Sequence, residues 1–174
     1  MTSTLAAAGA HGVFSSRSVA QGNSANERPS VAVIGCGGQG TGDGRRAVNH
    51  ADIVAVCDVD TSHSAYAKAA YIRRMGLKGR EAKIDVYDDY RAIIDRQDID
   101  AVICGTVDHW HVKISAEALR SGKDVYCEKP LTLTVDEGRI ISKVVEETGQ
   151  LLQVGTQQRS DARFLQAVAI AHSG

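Results

Sequence analysis

Three kinds of residue in this chain have the types and spacing to do chemistry. The first is a glycine series, Gly35, Gly37, Gly38 and Gly40, that follows Val31-Ala32-Val33-Ile34 directly. Gly35, Gly37 and Gly40 satisfy G-x-G-x-x-G. In that pattern the first glycine makes a tight turn, the second lets a pyrophosphate approach the backbone, and the third lets helix and strand pack. The free amides and positive dipole end of the next helix then hold phosphate. The second is Asp58, which ends the apolar run Ile53 to Cys57 about 20 residues beyond the glycines, where ribose hydroxyls are held. The third is Glu128-Lys129-Pro130. A lysine at a strand end in a cleft can act as acid or base on a substrate hydroxyl, a neighbouring glutamate can orient it, and the proline fixes the turn. Taken as a tripeptide alone, it reads equally as a solvated surface pair.

These groups need a scaffold, and the pattern supplies one. Strands are expected at about 31–34, 53–57, 84–87, 101–104, 125–127 and 151–154. Helices are expected at about 40–49, from Thr61 or Ser62 to Met75, at 90–96, at 112–120, from Thr134 to Thr148, and from Asp161 to about His172. Gly76, Gly79, Gly122 and Gly149 are the expected stops. Alternating strands and helices predict an α/β fold, a doubly wound parallel sheet of the Rossmann type covered on both faces. Ligands of such folds bind beyond the carboxyl ends of the strands. The polar clusters after strands four, five and six, Thr106 to His111, Glu128 to Pro130 and Gly155 to Arg159, should therefore converge on the nicotinamide end of a dinucleotide.

His109 and His111 form an H-x-H pair beside Asp108. On a strand both rings would face one side, but spacing places no third ligand, so no metal is assigned. Cys36, Cys57, Cys104 and Cys127 contain no C-x-x-C pair and read as small buried hydrophobes at strand ends. Trp110 reads as an aromatic packing on the ligand cleft or the sheet edge.

Residues 1–29 are rich in Ala, Ser, Gly and Asn and carry only Glu27 as an acid. They read either as a disordered tail or as the back half of an export signal whose charged front is missing. Location is thus open between cytoplasm and periplasm. Residues 30–174 form the expected NAD(P)-binding domain. A net charge of −1 argues against a nucleic-acid partner, and no apolar run approaches the ~20 residues of a membrane span.

The run Val33 to Gly40, then Cys57-Asp58, Thr106 to His111 and Glu128-Lys129-Pro130, resembles the Gfo/Idh/MocA oxidoreductases, the family of glucose-fructose oxidoreductase and inositol dehydrogenase. The resemblance covers nearly all of 31–174 and rests most specifically on Glu-Lys-Pro. It implies a Rossmann domain that binds NAD, with NADP less favoured because Asp58 would repel a 2′-phosphate. It implies that Gly35, Cys36, Gly37, Gly38, Gln39 and Gly40 hold the pyrophosphate, that Thr106, His111 and Glu128 border the nicotinamide, and that Lys129 contacts both cofactor and reacting hydroxyl. Val107 departs from the family's usual proline. The family's second α/β domain, which shapes the sugar or polyol site and usually the oligomer interface, is absent from this sequence. The chain is therefore expected to bind NAD and to turn over poorly or not at all alone. An NAD-dependent glycosidase and a non-catalytic NAD-binding protein are the alternatives, and self-association through an apolar patch is left open.

Overall fold

The structure, a computed structural model, describes residues 28–76 and 83–174. Six strands form one parallel sheet: β1 (Ser30–Ile34), β2 (Asp52–Cys57), β3 (Asp85–Tyr87), β4 (Ala101–Cys104), β5 (Asp124–Glu128) and β6 (Leu152–Gly155). Their order is β3-β2-β1-β4-β5-β6. This is the doubly wound order of a dinucleotide fold, whose switch point lies between β1 and β4. Six helices are interleaved: α1 (Gly38–Ala47), α2 (Thr61–Met75), α3 (Arg91–Ile94), α4 (His111–Arg120), α5 (Val135–Thr148) and α6 (Ala162–Ser173).

The strands are apolar on both faces because helices cover both. Val31 and Val33 face the core beneath α1 and α2, with Ile53, Val56 and Tyr71. Ala32 and Ile34 face the opposite core, with Val102, Cys104, Leu119, Ile141 and Val144. Successive strand residues point to opposite sides, so each β1 neighbour serves a different core.

The helix ends follow local chemistry. α5 begins in a capping box between Thr134 and Glu137 and ends at Gly149 with φ +69°. α2 is capped by Asp60, which accepts from the Ser62 amide at 2.8 Å, rather than by the expected Thr61 or Ser62. An aspartate one position earlier is an equally good acceptor. α1 starts two residues earlier than its pattern suggests, because the Thr41 amide already donates to the Gly37 carbonyl at 2.9 Å. Gly79 lies outside the described residues.

Arg28 and Pro29, which composition assigns to the leading segment, belong to the fold. The Arg28 guanidinium pairs with Asp52 at 2.8 Å and donates to the Val48, Asn49 and Ala51 carbonyls beyond α1. A cation is favoured there by the orphan carbonyls and the negative end of the helix dipole. The remainder of the segment read as tail or export signal lies outside the described residues. Among the described residues no helix is long and apolar enough to cross a membrane. The face of α6 carries Phe164, Leu165, Val168 and Ile170, each more than half exposed.

Candidate functional site: a glycine turn joined to the Glu-Lys-Pro loop

The glycine turn is built from two opposite requirements. Gly35 has φ +86°, and a Cβ there would lie 2.5 Å from the Thr106 amide nitrogen. A Cβ on Gly40 would lie 1.9 Å from the Gly35 carbonyl oxygen, so the N-terminal turn of α1 packs directly on the β1 turn. Gly37 and Gly38 differ: a Cβ on either meets nothing within 4 Å. The protein's own packing does not need them to be bare, and they border open space at the N-terminus of α1. Gly37, at the N-cap, makes no side-chain cap, and the amides of Gly38, Gln39 and Gly40 precede the first intrahelical bond. Bare backbone, free amides and a helix dipole in one place fit a pyrophosphate.

Asp58 is tied to this turn. Its Oδ2 accepts from the Cys36 amide at 2.6 Å and its Oδ1 from the Asp60 amide at 2.9 Å. His63 Nδ1 lies 3.7 Å from Oδ2. The acid at the end of β2 is thus held against the glycine backbone, with oxygen lone pairs left for a hydroxyl donor.

Across the switch point, β5 ends in two residues that face opposite sides. Cys127 is buried under α4, and Glu128 is 3% exposed beneath α1. Glu128 Oε1 accepts from Gln39 Nε2 at 3.3 Å, from the Tyr126 hydroxyl at 3.3 Å and from Gln157 Nε2, while Oε2 accepts from the Lys129 amide at 3.1 Å. One carboxylate therefore joins the glycine turn, the Glu-Lys-Pro loop and the segment after β6. Lys129 is exposed, and its peptide bond to Pro130 is cis. Its ammonium has no ion pair among the described residues.

Asp43 of α1 also belongs to this network, and composition did not single it out. It accepts from Gln39 Nε2 at 3.2 Å and from Arg46 Nη1 at 2.6 Å. Burial, and then the charge of Glu128, push its carboxyl up to about 6. The signal was the i, i+4 spacing from Gln39, which puts both on one helix face.

The loop after β4 does not continue as a strand. Asp108–Trp110 is a short 3-10 helix, so His109 is exposed while His111 is 1% exposed. The H-x-H pair does not converge. His111 instead joins two loops: Nδ1 lies 2.7 Å from the Pro130 carbonyl oxygen and Nε2 3.0 Å from that of Thr106. Trp110 packs edge-on against Tyr90, ring centroids 6.1 Å apart. Val107 has φ −75°, a value proline also adopts, so the departure from proline leaves the backbone unchanged.

All four cysteines are buried and free, as their positions at strand ends suggested. Burial pushes the Cys36 and Cys57 thiols up to about 12. Cys104 differs: the hydrogen bond from Cys127, against the effect of burial, holds it below the ordinary thiol value.

Known proteins share this fold. Residues 30–156 match the family described as "Oxidoreductase family, NAD-binding Rossmann fold", GFO_IDH_MocA. The chain is 32% identical over 148 residues to inositol 2-dehydrogenase 2 of Saccharopolyspora erythraea, covering 83% of this chain and 41% of that protein. The crystal structure of myo-inositol 2-dehydrogenase from Lactobacillus plantarum superposes with a TM-score of 0.71 at 28% identity, over 85% of this chain and 42% of that one. The scyllo-inositol dehydrogenase of Lactobacillus casei with bound NAD(H) and scyllo-inositol shares the fold, with a TM-score of 0.69 at 22% identity, over 85% of this chain and 42% of that one. The chain spans about two fifths of the length of these relatives. It belongs to the Gfo/Idh/MocA oxidoreductase family, of which it carries the NAD-binding Rossmann domain.

Proposed function

We propose that this chain is the cofactor-binding half of an NAD-dependent dehydrogenase acting on a hydroxyl of a polyol or sugar. The observation that carries the reading is the division among the glycines. Gly35 and Gly40 are required by the protein's own packing, whereas Gly37 and Gly38 are open beneath the unpaired amides of α1. The substrate class follows from the relatives, which are inositol dehydrogenases.

In this reading the turn Gly35, Cys36, Gly37, Gly38, Gln39 and Gly40 binds the pyrophosphate. Asp58 accepts hydrogen bonds from the adenosine ribose, and its charge disfavours a 2′-phosphate, so NAD is preferred over NADP. Thr106, His111 and Glu128 fix the loops that border the nicotinamide. Bound NAD supplies the hydride acceptor. Lys129 Nζ hydrogen-bonds the substrate hydroxyl and takes its proton, and Glu128 orients Lys129 through its backbone amide. Hydride transfer also needs the hydroxyl carbon held in near-attack geometry. That positioning comes from a substrate domain, so the 174 residues alone bind NAD and sustain no turnover.

The test is a thermal shift and calorimetric titration of the chain with NAD and NADP. At a hundredfold excess over Kd, binding contributes about 2.7 kcal/mol, or roughly 5 to 10 °C in Tm. NAD should give this shift and NADP a smaller one. No shift with either, or a larger one with NADP, refutes the reading. Steady NADH production from an inositol or sugar by the chain alone refutes its incompleteness.

A further inference from the structure

On the face of the sheet opposite Glu128, three buried side chains converge that the cofactor reading does not use together. Cys104 and Cys127 are register partners at the ends of β4 and β5. His111, at the start of α4, reaches down between the same two strands. The two sulfurs and a His111 ring nitrogen lie within 4.8 Å of one another. Cys104 and Cys127 are fully buried and His111 is 1% exposed.

Two further features concern what this cluster lacks. Ser115, one turn along α4 from His111, has a fully buried hydroxyl oxygen with no hydrogen-bond partner among the described residues. It lies beside Cys127. The His111 ring has a carbonyl oxygen at each nitrogen. A neutral imidazole donates to one of them and presents its lone pair to the other. An ion about 2.0–2.1 Å from that second nitrogen requires the ring to turn it away from its carbonyl and toward the sulfurs, while the opposite N–H goes on donating to a carbonyl. That N–H to carbonyl bond is the usual support for a metal-bound histidine.

From this geometry we propose that Cys104, Cys127 and His111 form a binding site for one soft or borderline divalent ion of the zinc type, with the Ser115 hydroxyl as an available oxygen donor. Two thiolates and one imidazole are a zinc-type ligand set. With Zn–S about 2.3 Å and Zn–N about 2.0–2.1 Å, the ligand atoms need to close by only a fraction of their present separation. Binding releases the two thiol protons and forms two metal–sulfur bonds and one metal–nitrogen bond. No oxidant or reductant is involved. The two other cysteines provide an internal contrast: Cys36 and Cys57 belong to no such cluster among the described residues, and their thiols lie against carbonyl groups or apolar side chains. The site lies directly behind the Thr106 and Pro130 carbonyls. A bound ion would therefore fix both loops bordering the nicotinamide, but the site's own formation does not depend on NAD.

The experiment is a titration of the reduced, metal-free 174-residue chain with Co2+ under anaerobic conditions. The expected result is saturation at one equivalent, with thiolate charge-transfer absorption in the near ultraviolet and intense visible bands of a tetrahedral ion, both lost on adding Zn2+. Cys104→Ala and Cys127→Ala should each lose at least tenfold in affinity. His111→Gln should shift the visible bands, and Cys36→Ala should leave them unchanged. Circular dichroism checks folding. Should a cysteine variant not fold, X-ray absorption of the zinc-loaded chain decides, with two sulfur scatterers expected. Absence of tetrahedral bands at stoichiometric Co2+, bands surviving in the Cys104→Ala/Cys127→Ala variant, or a zinc shell without sulfur overturns the proposal. None of these outcomes bears on NAD binding, which the thermal shift reads separately.

Discussion

Replacing Asp43 by asparagine should stabilise the protein at alkaline pH and do little at acid pH. Asp43 is almost completely buried beside Glu128, with Arg46 as its ion-pair partner. Its carboxyl is raised from 3.8 to about 6, mainly by burial and then by Glu128. A folded-state value above the unfolded one means that the native chain holds this proton more tightly. The associated stability is therefore fully present below the unfolded value and is lost as pH climbs through about 6. At 1.36 kcal/mol per unit, a rise of roughly two units removes about 3 kcal/mol by pH 8. The asparagine carries no charge to desolvate and keeps an oxygen for Gln39. The attraction of Arg46, whose side chain is 69% exposed, is already contained in the value of about 6 and is not deducted again. The balance is a gain of about 3 kcal/mol at pH 8, close to zero at about pH 3.5, where the carboxyl is protonated in the native chain and largely so in the unfolded one. Urea unfolding followed by far-ultraviolet circular dichroism at both pH values measures it, and a Tm rise of about 6–12 °C at pH 8 should accompany it. A difference that is the same at both pH values, or a loss at pH 8, would refute the repulsion argument.

The remaining predictions separate binding from folding. Gly38→Ala should leave Tm within about 1 °C, since its Cβ enters open space, yet weaken NAD binding tenfold or more by calorimetry. Gly40→Ala forces a Cβ against the Gly35 carbonyl and should cost about 1–3 kcal/mol of stability through overpacking, measured by urea unfolding. Asp58→Ala removes the acceptor for the Cys36 and Asp60 amides. It should lose about 1.5–3 kcal/mol and also narrow any preference for NAD over NADP. Lys123 is 2% exposed and donates to the Arg96 carbonyl at 2.6 Å, with burial holding its ammonium below the ordinary lysine value. Lys123→Ala should destabilise by about 1–3 kcal/mol, an effect read by thermal unfolding.

Much of this fold is legible in the sequence because its signals are local. Apolar runs, glycine stops and the Thr134–Glu137 box each act within one element, and every expected strand and helix is found within a few residues of its place. The glycine turn and Asp58 are legible for a related reason, since strand, turn and strand fix their separation. His109 and His111 show where local pattern stops. Alternation holds only while the chain stays extended, and at Val107 it leaves the sheet for a 3-10 turn. Asp43 was hidden differently. α1 reads Gly-Gln-Gly-Thr-Gly-Asp-Gly-Arg-Arg-Ala, a sequence polar enough to pass for a solvated face. Only the neighbouring β5 shows that Asp43 is buried and that the exposed Gln39 reaches Glu128.

The pairing of Cys104 with Cys127 depends on an event no spacing rule sees. The residues are separated by a whole helical crossover, and what sets them opposite each other is the parallel register of β4 on β5. The same register places Glu128 one residue farther along, on the other face. A single strand end thus presents a thiol to α4 and a carboxylate to α1. Each meets residues that begin the helix above it: His111 and Ser115 on one side, Gln39 and Asp43 on the other. A shift of one residue in the β4–β5 register would exchange the faces and bring Glu128 under α4 with no amide to meet it. Burying that carboxylate unpaired would cost several kcal/mol. The polar residues at this strand end therefore select the register as strongly as the apolar ones, and so hold the exposed Lys129 directly beyond the carboxyl end of β5.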